Sequence, residues 1–367
     1  MTRDEIQQSA VERLEDCKRL LCVWATGTGK SQVVLKFLKR HPRTSTLILV
    51  PEQNNIQNWY DEFDKFGVSR EGVVIICYAS FHKAEGTDWD LLVFDEMPHV
   101  DTEKRLAICR AVKGEYILAL GAVIDNDERQ SLESVYGLFK SSIVTLGMAM
   151  NWGILPSPTV NIIHMELDNT TKKHYVNGIH CTDKEYYNHV QAKVEKAAAA
   201  YDANRNKFTR NRMLQAGSER KRLLGKMKDE AISLICRKLE SKRKRFLCFC
   251  ASIKQAEQLG GLNAFTSKTP ASLKLLDKFN NGEINSLFVV GKLIEGQNLK
   301  NIECGVIGQL GGTQRITVQS VGRIMRSDNP IIYVPTFDGT KDDSFMYTLT
   351  SSIPDRCIKH YKFNSIS

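Results

Sequence analysis

The chain has 367 residues, 42% of them hydrophobic, and its 51 Lys and Arg against 42 Asp and Glu leave a formal net charge of +9. At roughly 150 residues per domain, this length predicts about two domains, each with enough apolar material for its own core. No apolar run could span a membrane, which argues against a membrane protein. The ten scattered cysteines lack zinc-ligand spacing, which argues against disulfide-scaffold and zinc-binding classes. The sequence therefore predicts a cytoplasmic protein.

The first half of the chain alternates short apolar runs with helical patterns. Ile56, Trp59, Phe63 and Phe66 recur at helical spacing, and a similar pattern follows residue 31. Continuous apolar strands separated by helices predict a doubly wound parallel sheet with helices on both faces. The predicted strands are residues 20–24, 46–51, 73–78, 91–94 and 116–120.

The second half repeats this alternation, so the predicted fold is α/β with two parallel sheets. We place the first domain at residues 1–154, a proline-containing linker at 155–158 and the second domain at 159–367. Residues 183–244 are charged and lack strand patterns, which predicts a basic helical segment. The predicted strands of this half are residues 245–250, 286–290, 305–307 and 331–334.

The strongest local motif is Ala25-Thr-Gly-Thr-Gly-Lys-Ser31, between a predicted strand and a predicted helix. Glycines let backbone N–H groups turn toward phosphate oxygens, and the helix adds its positive N-terminal end. Lys30 is suited to the β and γ phosphates and Ser31 to Mg²⁺. The alternative is a glycine-rich turn, since Trp24 stands where the full pattern has glycine. The flanking strand and helix favour a nucleotide site formed by Thr26, Gly27, Thr28, Gly29, Lys30 and Ser31.

Two carboxylates, Asp95 and Glu96, follow a predicted buried strand, at the end where ligands bind in open α/β sheets. Asp95 is suited to hold Mg²⁺ through its water shell, and Glu96 to orient and deprotonate an attacking water. Taken alone, Asp-Glu after a strand is ordinary turn chemistry. The phosphate loop upstream favours the catalytic interpretation.

A third group of candidate site residues lies near the C-terminus, in Gln319-Ser-Val-Gly-Arg-Ile-Met-Arg326. Arg323 and Arg326 are three residues apart and share a helical face. The planar, permanently charged guanidinium suits the charge that develops on a transferring phosphoryl group. A basic surface helix is the commoner alternative for such a pair.

Together these motifs and their order resemble superfamily 2 helicases and translocases. The resemblance implies two tandem RecA-like domains, with the basic helical segment inserted in the second and ATP bound between them. It also implies that Gln7 reads adenine, that Glu295 and Gly296 join the nucleotide site, and that Arg326 is the main arginine finger, supported by Arg323 and Gln319.

The chain departs from the family pattern at three places. Pro98 precedes His99 where the family has a residue that links the carboxylate motif to the glutamine near the C-terminus. Residues 119–123 lack the hydroxyls of the third family motif, and Trp24 precedes the phosphate loop. The first two departures concern the coupling of ATP turnover to nucleic-acid movement more than ATP binding.

The resemblance is to the DNA-directed branch, which holds phage recombination helicases, restriction-enzyme motor subunits and remodeller-type motors. It implies an ATP- and Mg²⁺-dependent translocase or helicase that acts on DNA rather than RNA. The implied setting is a bacterial or phage-infected cell, with replication, recombination or repair proteins as partners. The alternatives are an ATP-gated clamp without productive unwinding and an RNA helicase.

Two sets of residues are predicted nucleic-acid contacts. Pro51, Tyr78, Ser80 and Ser252 lie in loops after predicted strands, where the alternative is an ordinary βα loop. Residues 205–245 hold fifteen Lys and Arg against four Asp and Glu, a net of +11, so the rest of the chain is slightly acidic. Within this segment we expect Arg220, Lys221 and Arg222 to contact the phosphate backbone, the alternative being a solvated helix face.

Overall fold

A computed structural model describes residues 1–96, 103–176, 178–267, 272–290, 299, 301–309, 322, 324, 327–351 and 353–365. These residues form two compact units. The first is Met1–Ser157 with Gly322 and Ile324, and the second contains the other described residues from Pro158 onward. None of the helices described in these ranges is long and apolar enough to cross a membrane.

The first unit is built on a six-stranded, all-parallel sheet. Its strands are β1 (Arg19–Trp24), β2 (Thr46–Val50), β3 (Val73–Cys77), β4 (Asp88–Phe94), β5 (Lys113–Gly121) and β6 (Lys140–Val144). They lie in the order β3-β2-β4-β5-β1-β6. Every residue of β2 is buried, as expected for a strand covered by helices on both faces.

Within residues 1–96 and 103–157, six helices and one 3₁₀ helix accompany this sheet. They are α1 (Arg3–Cys17), α2 (Ser31–Arg40), α3 (Gln53–Phe66), the 3₁₀ helix Tyr78–Ala84, α4 (Glu103–Ala111), α5 (Asn126–Tyr136) and α6 (Leu146–Asn151). Capping boxes start two of them: Thr2 pairs with Glu5 at α1, and Asp125 with Glu128 at α5. The core includes Phe81 and Phe94, whose rings pack edge to face.

The second unit is built on a seven-stranded parallel sheet and a short antiparallel hairpin. The sheet strands are β7 (Thr159–Met165), β10 (Phe246–Cys250), β11 (Ala264–Phe265), β12 (Ser286–Val290), β13 (Cys304–Ile307), β14 (Ile331–Phe337) and β15 (Ile358–Lys362), and the hairpin strands are β8 (His174–Val176) and β9 (Ile179–Cys181). The sheet order is β11-β12-β10-β13-β14-β7-β15. Cys248 and Cys250 are free thiols buried in β10.

The predicted basic segment of the second unit is helical, and further helices accompany the sheet. Together these helices are α7 (Asp183–Ala203), α8 (Lys207–Met227), α9 (Asp229–Ser241), α10 (Ile253–Gly260), α11 (Ser272–Asn280) and α12 (Lys341–Thr350), with 3₁₀ helices at Gly261–Asn263, Asp355–Cys357 and Phe363–Ser365. Helices α7, α8 and α9 fill almost all of residues 183–244, and α7 and α8 pack against each other. The predicted α/β class with two parallel sheets is confirmed.

Candidate nucleotide-binding site

The loop between β1 and α2 holds the predicted phosphate-binding motif, and its glycines have a backbone that other residues rarely adopt. Gly27 has φ +89° and Gly29 has φ +86°. A Cβ atom on Gly29 would also lie 2.5 Å from the Gln7 side-chain nitrogen. Both glycines are therefore required for the shape of this loop.

The side chains of the loop divide into those that brace it and those that line it. Thr28 is fully buried and its hydroxyl donates to the Ala25 carbonyl oxygen at 2.7 Å. The Lys30 ammonium donates to the Trp24 carbonyl oxygen at 3.1 Å, at the end of β1. The Thr28 hydroxyl is therefore engaged with the loop backbone, and nucleotide binding by Thr28 stays a prediction.

Trp24 explains why a residue other than glycine is tolerated before this loop. It is the last residue of β1 and is fully buried. Its indole N–H donates to the Ser142 hydroxyl at 3.0 Å, on the neighbouring strand β6. The ring therefore packs into the core of the sheet and leaves the loop that follows unobstructed.

Thr26 lies in the same loop and is the clearest sign that the loop receives a polar ligand. Its hydroxyl oxygen is buried and has no hydrogen-bond partner among the described residues. Gly322, also in the first unit, approaches so closely that a Cβ atom there would lie 2.6 Å from the Thr26 Cβ. The unpartnered hydroxyl, the two glycines and the N-terminus of α2 fit the phosphate oxygens of ATP.

Gln7, on α1, lies directly against this loop. Only 3% of its surface is exposed, and its side-chain nitrogen donates to the Gly29 carbonyl oxygen at 3.2 Å. The structure therefore places this residue at the nucleotide loop, with its side-chain amide hydrogen-bonded to the loop backbone. Recognition of adenine by Gln7 stays a prediction.

Asp95 and Glu96 directly follow β4. Because β5 lies between β1 and β4, the carboxylates and the phosphate loop are two strand spacings apart, about 10 Å. The Asp95 side chain accepts a hydrogen bond from the Trp59 indole N–H at 2.9 Å, and its backbone carbonyl accepts one from the Tyr78 hydroxyl at 3.0 Å. These contacts fix the end of β4 from two sides.

The electrostatics of Asp95 suit a cation ligand. Burial, reinforced by the neighbouring Glu96 carboxylate, raises the pKa of Asp95 to about 6, against the opposing effects of the Trp59 N–H and the Lys30 ammonium. Ser31, across the site, has its hydroxyl 3.4 Å from the Glu62 carboxylate. Oxygen donors of this kind fit Mg²⁺, and a bound cation would favour the charged form of Asp95.

Glu96 has a strained backbone, with φ +51°. A non-glycine residue held in this region costs of order 1–3 kcal/mol, and such strain concentrates at functional sites. The side chain is half-exposed, so it is accessible to water. This arrangement fits the predicted role of Glu96 in orienting the attacking water, which stays a prediction.

Two residues that the sequence analysis did not assign to the site contact its predicted members. Trp59, interpreted from sequence as a helix-face residue, donates to Asp95, and Glu62 also accepts a hydrogen bond from the Gln32 amide at 2.9 Å. Both lie on α3, three residues apart and therefore on one face. That spacing is a weak sequence signal, because it is equally typical of an ordinary amphipathic helix.

The residues predicted to contact nucleic acid near strand ends differ in their exposure to solvent. Tyr78 is 3% exposed and its hydroxyl is bonded to Asp95, so the prediction that its side chain contacts nucleic acid is wrong. Pro51 and Ser80 are half-exposed after β2 and β3. Ser252 is half-exposed after β10, where its hydroxyl accepts the Gln255 N–H at 3.1 Å and caps α10.

The structure distinguishes the three residues of the predicted basic contact at 220–222, which stays a prediction for Arg222. The Arg220 guanidinium donates to the Gln191 side chain on α7 at 2.7 Å and is half-buried. Burial lowers the pKa of Lys221, which is likewise half-buried. Of the three residues, Arg222 is the exposed one, because α8 packs its other face against α7 here.

Several predicted residues lie outside the described part of the chain. They are Glu295, Gly296, Gln319, Arg323 and Arg326, together with the departures at Pro98 and His99.

Comparisons with known proteins give three kinds of similarity. The family described as Type III restriction enzyme, res subunit, matches residues 1–126. The chain is 24% identical over 347 residues to the DNA 3'-5' translocase XPB2 of Sulfurisphaera tokodaii, covering 88% of this chain and 78% of that protein.

Among solved structures, the Pyrococcus furiosus Hef helicase domain is similar with a TM-score of 0.55 and 14% identity, covering 93% of this chain and 97% of that one. The Sulfolobus solfataricus SWI2/SNF2 ATPase core in complex with dsDNA gives a TM-score of 0.37 at 14% identity, covering 96% and 91% of the two chains. The likeness to the Hef domain confirms the fold predicted from the motifs, two tandem RecA-like domains.

Proposed function

We infer that the chain is a superfamily 2 DNA helicase or translocase, an ATP hydrolase that uses turnover to move along or remodel DNA. Its 24%-identical relative, which spans most of both chains, is named a DNA 3'-5' translocase. The family match over residues 1–126 includes both the phosphate loop and Asp95-Glu96. These similarities favour DNA over RNA as the substrate.

The strongest support for ATP hydrolysis is the phosphate-binding loop between β1 and α2. Two glycines with positive φ and a buried Thr26 hydroxyl, which has no partner among the described residues, precede the N-terminus of α2. A carboxylate pair follows the strand that lies two positions away in the same sheet. This arrangement supports phosphoryl transfer, in which the protein mainly positions phosphates and stabilises charge.

In the proposed mechanism, each residue has one task. Lys30 exchanges its contact with the Trp24 carbonyl for the β and γ phosphates of ATP, and Gln7 stays against the loop to read the base. Ser31 and Asp95 would hold Mg²⁺, which would supply charge neutralisation at the phosphates. Glu96 orients the attacking water and accepts its proton.

The remaining roles are proposed from the motifs. Gln319, Arg323 and Arg326 complete the site, with Arg326 as the arginine finger, and Glu295 and Gly296 join them. Pro51, Ser80 and Ser252 contact the DNA backbone. We further propose a phage or bacterial motor that works in the cytoplasm with replication, recombination or repair proteins.

ATP turnover tests the proposal directly. The measurement compares hydrolysis by the whole chain alone and with single-stranded DNA, double-stranded DNA, forked DNA and RNA, each with and without Mg²⁺. We expect Mg²⁺-dependent turnover that DNA stimulates more than RNA does, and that Lys30→Ala removes. Turnover unaffected by every nucleic acid would contradict the proposal.

A further inference from the structure

The α7–α8 hairpin is packed at its base and exposed at its tip. Near the base, Tyr187, Leu224 and Gly225 are buried, and Tyr187 and Leu224 join a small core with Met165 and Phe337. The Tyr187 hydroxyl accepts the Lys341 N–H at 2.8 Å, which ties the base to α12. The hairpin therefore has a fixed attachment to the second unit.

The tip, residues 203–215, is ordered by its own hydrogen bonds although it is exposed. Asn206 and Thr209 form a capping box that starts α8. The Thr209 hydroxyl also donates to the Asn204 carbonyl oxygen at 2.5 Å. The side chains of the tip are thus presented from a defined turn rather than from a loose loop.

The tip combines positive charge with exposed apolar side chains. It has four cations and no acidic residue, since the flanking acids are Asp202 and Glu219. Phe208 is 68% exposed and Leu214 54% exposed. The Arg212 guanidinium lies 5.8 Å from the centre of the Phe208 ring. The four cations, all exposed, are Arg205, Lys207, Arg210 and Arg212.

We propose that the tip of the α7–α8 hairpin is a DNA-binding element that contacts unpaired bases next to the phosphate backbone. This inference rests on the proposed function for the identity of the polyanion. The cations of the tip match a phosphate chain in charge, whereas the Arg220 guanidinium is bonded to Gln191 and Lys221 is half-buried. The proposal therefore places the main basic contact at the tip rather than at Arg220 and Lys221.

Phe208 determines which form of DNA the tip takes. An exposed phenyl ring beside a guanidinium is a platform on which a nucleobase stacks, whatever its sequence. Bases inside a duplex are already stacked on their neighbours and are closed to such a platform. The tip accordingly binds single strands and the unpaired arms of forks, and Phe208 adds nothing to the binding of blunt duplex.

Equilibrium binding of fluorescent DNA to the whole chain tests the proposal. We expect Phe208→Ala to weaken binding to forked and single-stranded DNA by about tenfold, with Phe208→Trp retaining wild-type affinity. Binding to blunt duplex should not change. Tyr347→Ala is the matched control, because Tyr347 is an aromatic residue of the same unit that is 74% exposed on α12.

Charge is tested separately by replacing the four tip cations with glutamine. This variant should bind forked DNA at least about tenfold more weakly and with a flatter dependence on salt, by about 0.7 in log–log slope for each phosphate that the protein no longer neutralises. The control replaces four other exposed cations of the second unit: Arg237, Lys238, Lys359 and Lys362. It changes net charge equally and should bind with nearly wild-type affinity.

Two results would overturn the proposal in distinguishable ways. If wild-type protein binds forked DNA and both tip variants bind it equally well, the tip proposal is wrong and the proposed function stands. If wild-type protein binds no DNA at all, both fail. Circular dichroism of each variant checks that the helices are retained, so that weaker binding reports the side chains.

Discussion

The Trp59 indole connects helix α3 to the carboxylate at the end of β4. Its N–H donates to the side-chain oxygen of Asp95, and the indole is almost fully buried. A hydrogen bond of this kind holds a carboxylate in one orientation and favours its charged form. We therefore expect Trp59 to position Asp95 for a cation without touching that cation itself.

Trp59→Phe tests this positioning role. Losing the N–H while keeping an aromatic ring should raise the Mg²⁺ concentration for half-maximal ATP turnover by about tenfold, with a smaller effect at saturating Mg²⁺. The matched control is Trp89→Phe, since the Trp89 N–H donates to the Thr87 hydroxyl at 2.7 Å away from the site. An unchanged Mg²⁺ requirement in the first variant would show that Trp59 serves only the core.

Asp95 should make the nucleotide-free protein less stable as pH rises. Its pKa is about 6 in the folded protein, above the ordinary value of 3.8, so folding favours the protonated form. The folded state loses this advantage as pH rises from about 4 to about 6, and the full penalty applies above that range. Asp95→Asn, which cannot ionise, should therefore raise the melting temperature near pH 8.

Calorimetry of wild type and Asp95→Asn without Mg²⁺ or nucleotide measures this effect. The melting temperatures should differ near pH 8 and converge near pH 4, while the variant loses Mg²⁺-dependent turnover. If the variant were destabilised equally at both pH values, the Asp95 carboxylate would contribute to stability, and its burial without a cation would not be costly.

At the scale of elements, a buried ion pair connects the basic helices to α12. Lys228, between α8 and α9, and Asp342, in the first turn of α12, are both fully buried, with the ammonium 2.6 Å from a carboxylate oxygen. Asp342 also accepts the Phe337 N–H at 3.1 Å, at the end of β14. The pair therefore fixes the base of the hairpin against the sheet.

Removing one member of this pair should be costly. Lys228→Met leaves a buried carboxylate without its cation, so the free energy of unfolding should fall by about 3–5 kcal/mol in denaturant titration. Lys228→Met combined with Asp342→Leu should recover most of that loss, because no buried charge remains. A double variant no more stable than the single one would indicate that packing, and not charge, is responsible.

Sequence patterns predicted most of the inner strands and the edge strand β3, but missed the other edge strands. Residues 46–51 and 286–290 are continuous apolar runs because both faces of their strands are covered, and they form β2 and β12. Strands β6 and β15 lie at sheet edges, where exposed residues such as Lys140 and Tyr361 interrupt the apolar pattern, and both were missed. Strand β7, beside the linker prolines, was missed as well.

The sequence predicted those residues of the candidate site that belong to short contiguous motifs. The glycines, Lys30 and Asp95 stand in contiguous motifs, whereas the Trp59 contact with Asp95 depends on how α3 packs. Likewise, charge counting located the basic segment but could not show which cations face solvent. Arg220 is turned inward by the packing of α8 on α7, and the exposed charge lies nearer the tip.

At the scale of the whole molecule, charge is concentrated in the second half of the chain. Residues 205–245 carry a net +11, and the remainder is slightly acidic. The phosphate loop and Asp95-Glu96, by contrast, lie in the first unit. This separation suits a motor in which nucleotide chemistry and a large share of DNA affinity are supplied by different parts of the chain.

We propose that ATP turnover moves this chain along DNA. The most direct measurement is displacement of a third strand from a DNA triplex, with wild type and Lys30→Ala compared in the presence of ATP and Mg²⁺. We predict displacement by the wild type that depends on ATP and on the length of flanking duplex, and none by the variant. DNA-stimulated ATP turnover without any displacement would contradict the claim and identify an ATP-gated clamp instead.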